Sequence, residues 1–309
     1  MRQVIRLLVW LAYVLAIVAG QGLGHMASAI RGPFGGGAVW VSDAITTEVQ
    51  KDQSARKRLA EIVPRIQKAD YEDDRPALRR LYQDLAPYLD DKELASRVRY
   101  WRGFALWRRA LNGFNDKADS KEQEEDLKGC VSEFELAAGK DPAFIDARVG
   151  SLSCLVGLFY LNPGNAERRQ EYLKRFGELQ TEAKTSATEN PRVLWMLGGG
   201  TWYVPEERGG GQAKALEIYA TGLQSARRKK GTSSDPLDPS WGEPELLMNL
   251  AWANLNRATP DLDAAEKNAR AALALVPNWH YVRDILLPQI LEARAKRSAS
   301  YPSPGPNPP

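Results

Sequence analysis

The sequence predicts an all-α fold, an α-solenoid of stacked helical hairpins, and three observations carry that expectation. Apolar residues recur at three- and four-residue spacing through nearly every segment between residues 42 and 297, the period of an amphipathic helix. No run of alternating β-branched residues stands out. Short breaks cut the chain into about ten helices at nearly even intervals: Asp73-Asp74-Arg75-Pro76, Asp90-Asp91, Asn162-Pro163-Gly164-Asn165, Asn190-Pro191 and Thr259-Pro260. In most of them an Asp, Asn or Thr can cap the next helix, and a Pro can occupy its first turn, where the missing N–H costs nothing.

Taken in chain order, residues 1–29 have the three parts of a secretory signal. Arg2 and Arg6 give a positive start, Leu7 to Ala19 is an uninterrupted apolar run of 13 residues, and Ala27-Ser28-Ala29 offers a small-residue cleavage site. A bilayer-spanning helix usually needs about 20 apolar residues, so cleavage after Ala29 is expected, with a retained N-terminal anchor as the alternative. Export to the periplasm or the medium follows. Residues 30–41 contain Gly32-Pro33-Phe34-Gly35-Gly36-Gly37 and are expected to be a linker; residues 298–309, ending in SYPSPGPNPP, a disordered tail. The helical repeat domain is assigned to 42–297.

Composition narrows the function classes. The 309 residues are 43% hydrophobic and 26% charged, with nine Trp, which fits a packed core and argues against extended disorder. Two His (His25 and His280) and two Cys (Cys130 and Cys154) are too few for most metal sites, His-based triads or disulfide frameworks. Without residues 1–29 the chain has 40 Lys+Arg against 39 Asp+Glu, a net charge of +1. No nucleic-acid partner is expected from so balanced a surface. The one basic run, Arg227 to Lys230, stands where cations offset the exposed carbonyls of a helix end.

The hairpins match a specific repeat pattern. The second helix of a tetratricopeptide repeat carries a small residue, an aromatic, an Ala and a Pro at fixed offsets. Cys130, Phe134, Ala137 and Pro142 meet them; Ala265, Ala269, Ala272 and Pro277 do so with Ala in the aromatic slot; Ala215, Tyr219 and Gly222 meet the first three. Arg102-Gly103, Leu197-Gly198 and Leu250-Ala251 supply the small positions of the preceding helices. An insert between Asn112 and Glu122 breaks the period, and Tyr172 to Asn190 fits it poorly. The chain thus resembles the tetratricopeptide-repeat superfamily from about Leu94 to Pro277. Asn190 to Leu223 and Pro239 to Asn256, in which a Pro, a GGG loop and a Lys-Ala-Leu helix start precede Pro-Ser-Trp-Gly, are similar to exported bacterial tetratricopeptide-repeat proteins of unassigned function. The chain resembles more distantly the periplasmic T-component of TRAP transporters. Neither resemblance implies catalytic residues.

Five aromatics, Trp195, Trp202, Tyr203, Trp241 and Trp252, form the candidate ligand or partner surface. They either fill the interhelix core or line a pocket on the concave face, with Glu206, Glu207 and Arg208 as rim charges. Gly209-Gly210-Gly211-Gln212-Ala213-Lys214 invites comparison with a phosphate loop but has Ala213 before and Ala215 after the lysine, so a tight lead-in to a helix is expected instead. Glu206-Glu207 and Glu243 with Glu245 lack the arrangement of an acid/base pair, and His280 is expected to pack or cap a helix start. Cys130 and Cys154, 24 positions apart on neighbouring helices, could be bridged if their Cα atoms lie within about 7 Å. No enzyme activity, cofactor or metal is expected. The leading expectation is a scaffold in the cell envelope that binds a protein or peptide on its concave surface. The alternative is a small-molecule-binding component of an envelope transport system; a closed apolar pocket favours the alternative, an open polar groove the scaffold.

Overall fold

A computed structural model of the protein describes residues 42–300 apart from 187, 188, 232 and 234. The signal, the linker and the end of the tail, residues 301–309, lie outside the described residues. Among the described residues the protein is all helical, with no strand. Eleven α-helices follow in order: α1 Ser42–Tyr71, α2 Arg75–Asp84, α3 Ala95–Asp116, α4 Ser120–Lys140, α5 Ile145–Leu161, α6 Ala166–Ser186, α7 Pro191–Thr201, α8 Gln212–Arg228, α9 Glu243–Asn256, α10 Leu262–Leu275 and α11 Leu287–Ser300, the last preceded by a π-helical turn over Tyr281–Leu286. None is long and apolar enough to cross a membrane.

The breaks act as local chemistry dictates. Asp74 accepts from the Ala77 N–H at the start of α2, Asn190 from those of Arg192 and Val193 ahead of Pro191 in α7, and Asn165 from that of Arg168 in α6. At the Thr259-Pro260 break the capping carboxylate is Asp261, which accepts from Ala264.

The insert between Asn112 and Glu122, which departs from the repeat period, is mostly helix: α3 runs to Asp116, Lys117 takes the left-handed conformation at φ 55°, and Asp119 caps α4 through the N–H groups of Lys121 and Glu122, so three residues make the turn. Residues 298–300, assigned to the tail, continue α11, since no Pro interrupts the chain before Pro302.

Most consecutive helices pack on one another, and in two places a ring is seated on small residues. The Phe134 ring of α4 lies between Gly103 of α3 and Gly150 of α5, where added β-carbons would fall 3.0 and 2.4 Å from it. Tyr219 of α8 covers Gly198 of α7 in the same way, at 2.4 Å. Cys130 and Cys154 are joined in a disulfide between α4 and α5, Cα atoms 6.4 Å apart, both fully buried. Among the described residues the two buried arginines are paired, Arg102 with Glu133 (2.7 Å) and Arg108 with Asp70 (2.6 Å), which avoids an uncompensated cation in the core.

α1 departs from a simple stack of neighbours. It packs on α2 and α3 through Leu59, Val63 and Ile66, then reaches far along the chain. Arg56 pairs with Asp235 (2.7 Å), Gln67 with Ser240 (2.9 Å), Tyr71 with Glu245 (2.6 Å), and Glu72 accepts from Asn278 (3.3 Å). The beginning and end of the helical array are thereby fastened together.

Candidate functional site

Alternate helices turn one face toward a common interior. Trp107, Leu111 and Phe114 recur at helical spacing along α3, Leu152 and Val156 along α5, and Trp195 and Gly199 along α7; with Met248 and Asn249 of α9 and with Trp279 and Tyr281 they line a cavity of about 170 Å³ that is partly open to solvent. The wall is mainly aromatic and aliphatic. Trp195 is the pivot: it packs against all three apolar clusters of the core, with its ring centroid 5.8 Å from Trp107 and 5.7 Å from Trp241, both edge to face. Its indole N–H is buried without an acceptor.

One end of the cavity is polar. Arg108, on the lining, donates from Nε to Asp70 Oδ1 at 2.6 Å, and Asn112 donates to the Asp70 carbonyl at 3.0 Å. Burial pushes the Asp70 carboxyl up to about 6 although Arg108 pulls it the other way. Behind this pair the Tyr71 hydroxyl donates to Glu245, whose other oxygen accepts from the Gly242 N–H at 2.7 Å, and Tyr71 stands 5.0 Å from Trp279. Arg108 is therefore already paired, while the second carboxylate oxygen of Asp70, Oδ2, is buried without a partner. Among the described residues no group of three or more His, Cys, Asp or Glu could hold a metal ion.

The residues singled out on sequence grounds do not form one cluster. Trp195 lines the cavity, and Trp241 buttresses it from behind, donating its indole N–H to the Tyr100 hydroxyl at 2.7 Å. Trp202 and Trp252 pack on each other at 5.2 Å inside the second core, with Tyr203 half-buried beside them. Glu206 and Arg208 stand exposed on a 3-10 turn away from the cavity wall. Adjacent positions leave a helix in different directions, so nearness in sequence separated these side chains instead of grouping them. Trp107, Asn112, Asn249 and Trp279 were missed; the apolar spacing along α3 was the only local signal.

The glycine loop is closed on itself. Gly209, Gly210 and Gly211 donate their N–H groups to the carbonyls of Glu206, Pro205 and Thr201, and Gly209 and Gly211 have φ of 78° and 100°. A phosphate would find none of the three donors open, so the loop serves as the tight lead-in to α8. His280 packs between two carboxylates, 2.8 Å from Asp284 and 3.6 Å from Asp73. Glu245 is buried against Tyr71, and Glu243 pairs with Arg227 and Lys230 of the basic run.

A second recess, a groove of about 850 Å³, runs between the start of α7 and the Pro-rich stretch before α9. It mixes Arg97, Asp146, Arg192 and Asp238 with Pro236 and Pro239. No protein-family model, curated protein or solved structure matches the chain.

Proposed function

We propose that this chain is an exported, non-enzymatic helical-repeat protein that binds a small molecule in the cavity between its hairpins. The observation that carries the reading is the cavity itself, a recess with Trp107, Trp195 and Trp279 in its wall and with the charged group of its lining, Arg108, paired to Asp70. Ligand sites are typically concave and apolar with a few placed polar groups. Seating of Phe134 on Gly103 and of Tyr219 on Gly198 supports hairpins that are degenerate tetratricopeptide repeats stacked as a solenoid. The segment from Arg2 to Ala29 supports export, and with it a role as the soluble binding component of an envelope transport system.

Direct examination of bound material tests the reading. Full-length protein purified from its native host is denatured in organic solvent and the released small molecules are identified by mass spectrometry. A stoichiometric compound absent from a cavity-filled variant, Val156→Phe, is expected. The polar groove beside Pro236 and Pro239 favours the second reading, a protein or peptide partner held there. Stoichiometric recovery of a polypeptide that is lost on changing Arg97 and Asp238, with no small molecule in the cavity, would replace the first reading with the second.

A further inference from the structure

Resting on that small-molecule reading, we propose that the ligand is a neutral, single-ring aromatic molecule carrying one oxygen acceptor. Three features of the cavity point to it. The first is size: an apolar cavity of about 150 Å³ holds one benzene, and this one measures about 170 Å³. The recess is partly open to solvent, so a single ring fills its apolar part and any second ring would stand outside that wall.

The second is the character of the wall. Trp107, Phe114, Trp195, Trp279 and Tyr281 approach from three separate segments, so a ring placed among them meets aromatic edges and faces on several sides. Aromatic pairs favour edge-to-face or offset arrangements with centroids about 4.5 to 7 Å apart, the spacing Trp195 already keeps with Trp107 in the wall at 5.8 Å and with Trp241 behind it at 5.7 Å. A saturated ring of the same volume gains the burial but not the quadrupole contacts.

The third is charge. Arg108 is the charged side chain of the lining, and Asp70 already neutralises it at 2.6 Å. A carboxylate or ammonium on the ligand would be desolvated without a free counter-charge, a heavy penalty in such a site. One neutral donor lacks a partner, since the Trp195 indole N–H has no acceptor, and the assignment requires the Trp195 ring, which lines the recess, to turn that N–H toward the ligand. A hydroxyl, aldehyde or ether oxygen on the ring would satisfy it.

Isothermal titration of the folded full-length chain with phenol, benzyl alcohol, toluene, cyclohexanol and benzoate at pH 7 tests the assignment. Phenol and benzyl alcohol are expected to bind at least tenfold more tightly than cyclohexanol or benzoate. Trp195→Phe, which keeps a ring but removes the N–H, should erase their advantage over toluene. Val156→Phe and Ser153→Phe, both directed at filling the cavity, should abolish binding while circular dichroism remains helical. Equal affinity for cyclohexanol and phenol would overturn the aromatic assignment and leave the small-molecule reading standing. Tighter binding of benzoate would overturn neutrality in the same way. If none of the five binds at millimolar concentration, both the inference and the small-molecule reading fall.

Discussion

The ring of Phe134 closes so tightly on Gly150 that a β-carbon there would lie 2.4 Å from Cζ. Phe134 is fully buried and confined on its other side by Gly103, so it cannot swing away. Gly150→Ala is expected to cost about 2 to 3 kcal/mol through overpacking, although Ala is the better helix former. Gly139→Ala, on the exposed side of α4 with nothing within 4 Å of the new methyl, should gain up to about 1 kcal/mol. Urea midpoints for the two variants check both signs.

Ala215 and Ala213 give a finer test of register. Ala215 is fully buried in the core beside Tyr219, whereas Ala213 is exposed at the start of α8. Ala215→Leu should lose about 1 to 3 kcal/mol, and Ala213→Leu should stay within about 0.5 kcal/mol of the parent. Equal shifts in urea denaturation would mean that the packing face of α8 has been misassigned.

Helix content and the positions of the breaks were legible because both depend on neighbours in sequence. The apolar period of α3 and the capping oxygens of Asp74 and Asn190 act within a turn or two of the backbone. The cavity was only partly legible. Trp195 was singled out, but Trp107 and Trp279 meet it through the superposition of several helix pairs, and no short-range pattern encodes that meeting. The reach of α1 to Asp235 and Glu245 was invisible for the same reason, since its polar side reads as an ordinary wet helix face.

Asp73 should make stability fall as pH rises from 4 to 7. Burial, together with the nearby carboxylate of Asp116, pushes its carboxyl up to about 6, and its side chain is 11% exposed. An unfolded Asp titrates near 3.9. The folded state therefore holds the proton more strongly: its advantage is complete below about pH 4 and is lost as pH passes through 6, a change of about 2 kcal/mol. Asp73→Asn removes the ionisation and tolerates the left-handed backbone at φ 61°. Thermal melts across pH 4 to 7 should show the variant more stable than the parent at pH 7 and less dependent on pH.

The disulfide ties two consecutive helices, Cys130 and Cys154 being 24 positions apart. Closing a loop of that length restricts the unfolded chain by about 3 kcal/mol. The double variant Cys130→Ala/Cys154→Ala is expected to fold to the same helical spectrum with its urea midpoint lowered by that amount. With both residues fully buried, reductant should act on the native protein only after the helices open, which thiol titration over time can follow.

A helical array whose contacts were all local would form quickly and could fray from either end, one hairpin at a time. Here α1 and the turn that follows it tie positions 173 to 206 residues apart, from Gln67 and Ser240 to Glu72 and Asn278. Such a strap makes the helices a single cooperative unit. The chain must close very long loops before those bonds reward it, so its folding is slower than its helical content would suggest. Once closed, the terminal hairpins of the array no longer peel away independently, and losing the strap should be felt at both of them together.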